Sequence, residues 1–159
     1  MQIERLRHHL KQRTGCSDAD IRVVYAPLRI SPLGAHVDHQ DGLVTGMTLD
    51  RVILLAFVPR RDRRVCVESL NFPGRVEFAL DDVPPRSPKD WGNYVRGAAL
   101  ALQQQHMLQV GIDAVVGGDM PIGGLSSSAA VGVAYLLALE TANDLTVSAE
   151  ENIHLDRYI

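Results

Sequence analysis

The stretch Asp119-Met-Pro-Ile-Gly-Gly-Leu-Ser-Ser-Ser-Ala-Ala130 runs from a glycine turn into three serines and an alanine-rich apolar segment. Gly123 and Gly124 let a ligand approach the backbone without side-chain hindrance. Leu125 follows, and Ser126, Ser127 and Ser128 open a predicted helix that reaches Thr141. The first-turn amides of that helix lack intrahelical partners, and its dipole places a positive end beside them. The turn is therefore an anion cradle, suited to phosphate. The hydroxyls of Ser126 to Ser128 add donors, and one of them could face a phosphate-bound magnesium ion. Taken alone, the stretch is also what a serine N-cap after a flexible turn looks like. It is not a Walker A loop, since no lysine follows the second glycine, nor a GxGxxG fingerprint.

Outward from this turn, apolar periodicity and breaker residues divide the rest of the chain. Ile112–Val116 reads as a short strand before it, and Trp91–Met107, rich in alanine, leucine and glutamine, as a helix. Asp81–Asp90, with Pro84, Pro85 and Pro88, is the best internal linker, though it need not divide domains. Val76–Leu80, Val65–Ser69, Val52–Val58 and Leu43–Met47 read as strands, the apolar run Val52–Val58 as a central one. Ile21–Tyr25 is a strand feeding a long loop, Pro27–Gly42, and residues 3–13 form an amphipathic helix. After Thr141, Ser148 and Glu151 make a capping box for a last helix. That helix runs to Ile159 without a cap or polar tail, which predicts an interrupted chain with apolar surface open to self-association.

The 159 residues suffice for one domain that buries roughly 70% of its unfolded surface. With 46% hydrophobic and 22% charged residues, disorder and coiled-coil arrays are poor readings. A net charge of -3 argues against a nucleic-acid partner. Cys16 and Cys66 lack CxxC spacing, so a cysteine zinc site is unsupported and a reducing cytoplasm fits. The longest apolar run, Ala129–Leu139, is too short to span a bilayer, and no membrane partner is expected. The arginines at 60, 61, 63 and 64 around Asp62 read most simply as a solvated hairpin turn.

A second block, Ala26-Pro-Leu-Arg-Ile-Ser-Pro-Leu-Gly-Ala-His-Val-Asp-His-Gln-Asp-Gly42, precedes the phosphate turn. Together the two resemble the GHMP small-molecule kinases. Arg29, Gly34, His36, Asp38 and Gly42 fall on positions of the galactokinase signature, and Pro121 with the run from Gly124 falls on the family phosphate loop. Trp91-Gly-Asn-Tyr-Val-Arg-Gly97 is similar to a third segment, whose tryptophan and tyrosine lie against the nucleoside. The chain departs from the galactokinase pattern at Ala35, where glutamate stands, at His39, where tyrosine stands, and in a phosphate loop one residue shorter. The wider runs Arg29–Gln40 and Ser126–Glu140 look like galacturonokinase in particular, and then like galactokinase.

The resemblance implies an ATP-dependent sugar-1-kinase with magnesium, acting on D-galacturonic acid or, alternatively, galactose; a sugar- or nucleotide-binding remnant is the non-catalytic alternative. It implies that Arg29 stabilises the anomeric hydroxyl and the migrating phosphoryl group, that His36 and Asp38 hold ring hydroxyls, and that Trp91 and Tyr94 lie near adenine. Trp91 opening a helix is also compatible with a purely core role. In galactokinases the glutamate replaced by Ala35 reaches the sugar C6 hydroxyl. Alanine there removes a charge that would repel a C6 carboxylate. A metal site from His36, Asp38 and His39 is disfavoured by three crowded loop residues without a distant ligand. The fold implied is α+β, a mixed, mainly antiparallel sheet covered by helices, with a βαβ element like domain 2 of ribosomal protein S5. Residues 1–159 correspond to the N-terminal domain, and the family's catalytic aspartate and acidic magnesium ligand are expected beyond the matched segment. The chain alone is therefore expected to be inactive.

Overall fold

The computed structural model describes residues 2–34, 42–118 and 127–159. Its strands are β1 (Arg22–Ile30), β2 (Met47–Arg60), β3 (Arg64–Ser69), β4 (Arg75–Ala79) and β5 (Gly111–Gly118), in spatial order β1-β2-β5-β3-β4. Only β3 and β5 pair in parallel; the other neighbours are antiparallel. The expected mixed, mainly antiparallel sheet is thus the observed one. Helices α1 (Gln2–Thr14), α2 (Asn93–Gln103), α3 (Ser127–Ala142) and α4 (Ala149–Asp156) cover it.

Alternation along β2 divides the core between two faces. Ile53, Leu55 and Phe57 join α2, α3 and α4 in the larger cluster, while Val52, Leu54 and Ala56 pack with Leu6 and Leu10 of α1. Both faces being covered explains the continuous apolar run that marked this strand as central. β1, at the edge, instead alternates between buried Val24, Ala26 and Leu28 and exposed Tyr25, Pro27 and Arg29.

Several boundaries differ from the sequence expectation: α4 ends at Asp156 instead of running to Ile159, β5 spans Gly111–Gly118 instead of 112–116, and three larger differences have identifiable causes. β1 continues past Tyr25 to Ile30, because a proline is tolerated where an edge strand has a free side, and its register shifts between Pro27 and Arg29. The separate strands expected at 43–47 and 52–58 are one strand from Met47, with residues 42–46 outside it. Asp50 and Arg51 interrupt the apolar pattern without breaking the strand, since β5 pairs only with Ile53–Arg60 and the preceding part of β2 has β1 as its single neighbour. Helix α2 is shorter than the span 91–107. Its first turn is set by Asp90, whose Oδ1 accepts the Gly92 N–H at 2.8 Å, and its last by Gln104, whose N–H returns to Ala101.

The arginine-rich turn between β2 and β3 is tied down by carboxylates. Arg60 pairs with Asp62 and, at 3.3 Å, with the buried Asp113; Arg63 pairs with Asp81, and Arg64 with Glu77 at 2.9 Å. At the last helix, the Ser148 side chain accepts the Glu151 N–H as a cap. The reciprocal half of the expected box gives way to a different contact, Glu151 Oε1 lying 2.6 Å from His106 Nε2. The end of the chain folds inward at Leu155, which is buried. Ile159 lies so near Gly97 and Gly132 that a Cβ on either would stand 3.0 to 3.4 Å from it, while Ile153 and Tyr158 stay exposed.

Candidate functional site

Because β1 and β5 both run antiparallel to β2, their C-terminal ends leave the same rim of the sheet. Ala26, Ile53 and Gly118 are register partners across the three strands, so Ala26 and Gly118 stand about 10 Å apart at ordinary strand spacing. Three residues beyond Ala26, Arg29 overhangs the rim from which the 119–126 segment departs. The Arg29 Nη1 donates to Ser31 Oγ. The side chain is exposed and its stem passes Gly46, whose Cβ position lies 3.7 Å from Arg29 Cδ. The neighbouring loop is closed at its base by Leu33 and Thr45: the Leu33 N–H donates to Thr45 Oγ1 and the Thr45 N–H to the Leu33 carbonyl, each at 3.0 Å. Gly34 has a φ of +78°, and a Cβ there would meet the Leu43 carbonyl oxygen at 2.3 Å. Only glycine meets both demands.

Ser69, at the end of β3, reaches the same rim through its pairing with Val116. There a cavity of about 120 Å³ opens, lined by Ser69, Phe72, Trp91, Tyr94, Val116, Ser127, Ser128, Val131 and Tyr135. Its Trp91 wall is fixed from two sides. The indole Nε1 donates to the Pro73 carbonyl at 3.1 Å, and Arg96 Nη1 lies 2.6 Å from Asp90 Oδ2, beside the turn that carries Trp91. That hydrogen bond, aided by the Gly92 N–H, holds the Asp90 carboxyl below the usual carboxylate range. Gly92 is itself required, because a Cβ would stand 2.5 Å from Val76 Cγ2.

Of the residues singled out in the sequence, Trp91, Tyr94, Ser127 and Ser128 come together around this cavity, and Arg29 stands at the rim outside its lining. Ala35, His36 and Asp38, together with Gly123, Gly124, Leu125 and Ser126, lie outside the described residues. Ser69, Asn71, Phe72 and Tyr135 were not anticipated. Asn71 acts as a brace: its Nδ2 donates to the Gly118 carbonyl and its Oδ1 accepts the Gly118 N–H, both at 3.2 Å. The only sequence signal near it is the turn-forming Asn71-Phe-Pro-Gly74. Among the described residues no group of three His, Cys, Asp or Glu could hold a metal, and no helix is long and apolar enough to cross a membrane.

The model of the GHMP kinases N terminal domain matches residues 93–159. The galacturonokinase of Arabidopsis thaliana is 44% identical over 177 aligned positions, which cover 99% of this chain and 42% of that protein. A galactokinase of Chloroflexus aggregans is 38% identical over 82% of this chain and 34% of its own length. Among solved structures, Lactococcus lactis galactokinase complexed with galactose superposes with a TM-score of 0.91 at 27% identity, covering 98% of this chain and 41% of that one. The chain spans less than half the length of the relatives it matches.

Proposed function

Since the chain has the fold and sequence features of a GHMP kinase N-terminal domain, we propose that it supplies the nucleotide-binding and sugar-binding part of an ATP-dependent sugar-1-kinase. The acceptor in this reading is the anomeric hydroxyl of D-galacturonic acid. The observation that carries it is the cavity in which Trp91 and Tyr94 face Ser127 and Ser128 at the start of α3. An aromatic-walled recess that opens onto a helix N-terminus suits a nucleotide, with the base among the rings and the phosphates at the amides.

Phosphoryl transfer is catalysed mainly by positioning and charge stabilisation. In this reading the rim residue Arg29 places its guanidinium by the acceptor oxygen and the transferring group, while His36 and Asp38 hold ring hydroxyls of the sugar. The exposed Ser128 hydroxyl is a single oxygen ligand. It fits a magnesium ion that takes its other ligands from phosphate and water, and the ion would neutralise phosphate charge. Ala35 offers no carboxylate to repel an acid at C6, which favours a hexuronic acid. Galactose is the second reading, supported by the likeness to galactokinases in sequence and fold.

Trp91 is the only tryptophan, so its emission reports on this cavity alone. Titration with ATP is expected to change that emission saturably, whereas inorganic tripolyphosphate should compete for binding without the same spectral change. A folded protein whose Trp91 emission and calorimetric heats ignore ATP would overturn the reading.

A further inference from the structure

Tyr135 lines the same cavity and is 1% exposed, yet its hydroxyl has no hydrogen-bond partner among the described residues. Phenylalanine would fill the space without burying an unpaired polar atom, so the free phenol is a cost to the unliganded fold. Its place on α3 indicates what relieves that cost. Ser127, Val131 and Tyr135 follow one another at four-residue intervals and form a single stripe down the helix. The stripe covers about 12 Å of helix axis from the phosphate end, and helical side chains lean back toward the N-terminus. Tyr135 therefore lines the cavity at the end of the stripe farthest from the phosphate serines. Burial holds the hydroxyl protonated by raising its pKa, which keeps it a donor.

We propose that Tyr135 positions the nucleobase, its hydroxyl donating a hydrogen bond to a ring nitrogen of a purine held between the Trp91 and Tyr94 walls. The proposal rests on the cavity being the nucleotide site. It adds that selectivity for the base is set by a residue of α3 well beyond the phosphate-binding serines. A ring nitrogen is the suitable acceptor because it lies in the plane of the base, where a donor at the cavity's edge can meet it while the aromatic walls pack on the faces. Of the other cavity hydroxyls set apart from the phosphate end, Ser69 on the β3 side already accepts the Asn71 and Phe72 N–H groups and Tyr94 is only half-buried, which leaves Tyr135 as the deeply buried donor without a partner among the described residues.

The test is a comparison of dissociation constants for ATP and for its 1-deaza, 3-deaza and 7-deaza analogues, each with one ring nitrogen replaced by carbon, in wild-type and Tyr135→Phe protein. The wild type should bind one of the three roughly three- to tenfold more weakly than ATP, the ordinary worth of one hydrogen bond. Tyr135→Phe should lose a similar factor for ATP, bind that analogue and ATP alike, and melt no lower than the wild type. A wild type that binds all three analogues as tightly as ATP overturns the proposal without recourse to any variant. So does a Tyr135→Phe protein that retains the wild-type preference. If folded wild-type protein binds no nucleotide, the function reading falls and this one with it; ATP binding indifferent to the ring nitrogens overturns the role of Tyr135 alone.

Discussion

Asn71 and Gly118 are joined by two reciprocal hydrogen bonds, each 3.2 Å long, between a side-chain amide and the last backbone unit of β5. The amide acts as a strand neighbour one residue long, extending pairing at the last residue of β5. Gly118 tolerates no alternative, since a Cβ on it would stand 2.2 Å from the Val52 carbonyl oxygen. Gly118 is thus held from both sides of β5.

Asn71→Ala should therefore weaken ATP binding by about three- to tenfold while lowering stability by only about 1 kcal/mol, because both hydrogen bonds are exposed. Asn71→Asp keeps the acceptor and loses the donor, and should fall between. Calorimetric titration beside a thermal melt checks this. Equal ATP affinity in Asn71→Ala and wild type would show that the brace does not govern the turn.

A substitution on the other side of the rim should separate the two ligands. Gly34→Ala forces a side chain into a left-handed conformation and against the Leu43 carbonyl, so the backbone at the base of the loop must shift. The conformational part alone costs roughly 1–2 kcal/mol. Binding of D-galacturonic acid should drop at least tenfold while ATP affinity stays within about twofold, measured by titrating each ligand separately. A matched loss for both would point to general unfolding instead.

The choice of acceptor turns on Ala35. If it faces C6, Ala35→Glu should lower the preference for D-galacturonic acid over galactose by roughly ten- to a thousandfold. At about 4 Å and an effective dielectric near 20, like-charge repulsion is on the order of 4 kcal/mol, of which solvation and side-chain movement absorb a part. The readout is the ratio of kcat/KM for the two sugars in active full-length enzyme. An unchanged ratio would place Ala35 away from C6.

Glu140 gives the fold a pH dependence of defined sign. It is 5% exposed, its Oε2 accepts from Asn152 Nδ2 at 3.3 Å, and its Oε1 has no partner among the described residues. Burial pushes its carboxyl up, the nearby Glu151 adds to the effect, and the Asn152 hydrogen bond and His106 oppose it. The folded state accordingly holds this proton more tightly than the unfolded chain, and stability falls as pH rises above the unfolded value near about 4.3 until the folded pKa is passed. Glu68 has the opposite slope. Burial opposes its ionisation, but the His9 hydrogen bond and the Arg13 charge bring its carboxyl below the usual range, so its contribution is lost as pH falls through that lowered value. Glu140→Gln should remove only the first effect and gain stability over wild type progressively from pH 4 to 7. Parallel melting curves across that range would contradict the assignment.

Local signals in the sequence carried the elements well where one strand or helix supplies its own pattern. Helix α1 shows its apolar spacing at Leu6 and Leu10, and the run ending at Val58 shows a strand covered on both faces. The serine run and the Trp91 segment stood out as motifs, and the structure gathers Trp91, Tyr94, Ser127 and Ser128 around one cavity. Ser69, Asn71 and Phe72 were not, because their place beside Gly118 depends on parallel pairing of β3 with β5, a contact between segments over 40 residues apart that leaves no local trace. Tyr135 was hidden for a different reason. It sits in a helix buried on nearly all sides, where an aromatic residue reads as core and only the unpaired hydroxyl marks it out. The pairing of His9 with Glu68 at 2.6 Å likewise joins residues that no periodicity connects.

The strand order has a consequence for synthesis on the ribosome. β1 and β2 form one hairpin and β3 and β4 another, and within the sheet β5 alone hydrogen-bonds to both. Until residues 111–118 emerge, the nascent chain holds two separate ribbons whose inner edges, at β2 and β3, lack partners. Those edges include Ile53–Phe57 and Val65–Val67, apolar segments of the kind that recruit other chains. The last strand to arrive is inserted at the centre, so the sheet closes in one late, long-range step, and slow release or a stall shortly before Gly111 would leave the most aggregation-prone intermediate exposed for longest.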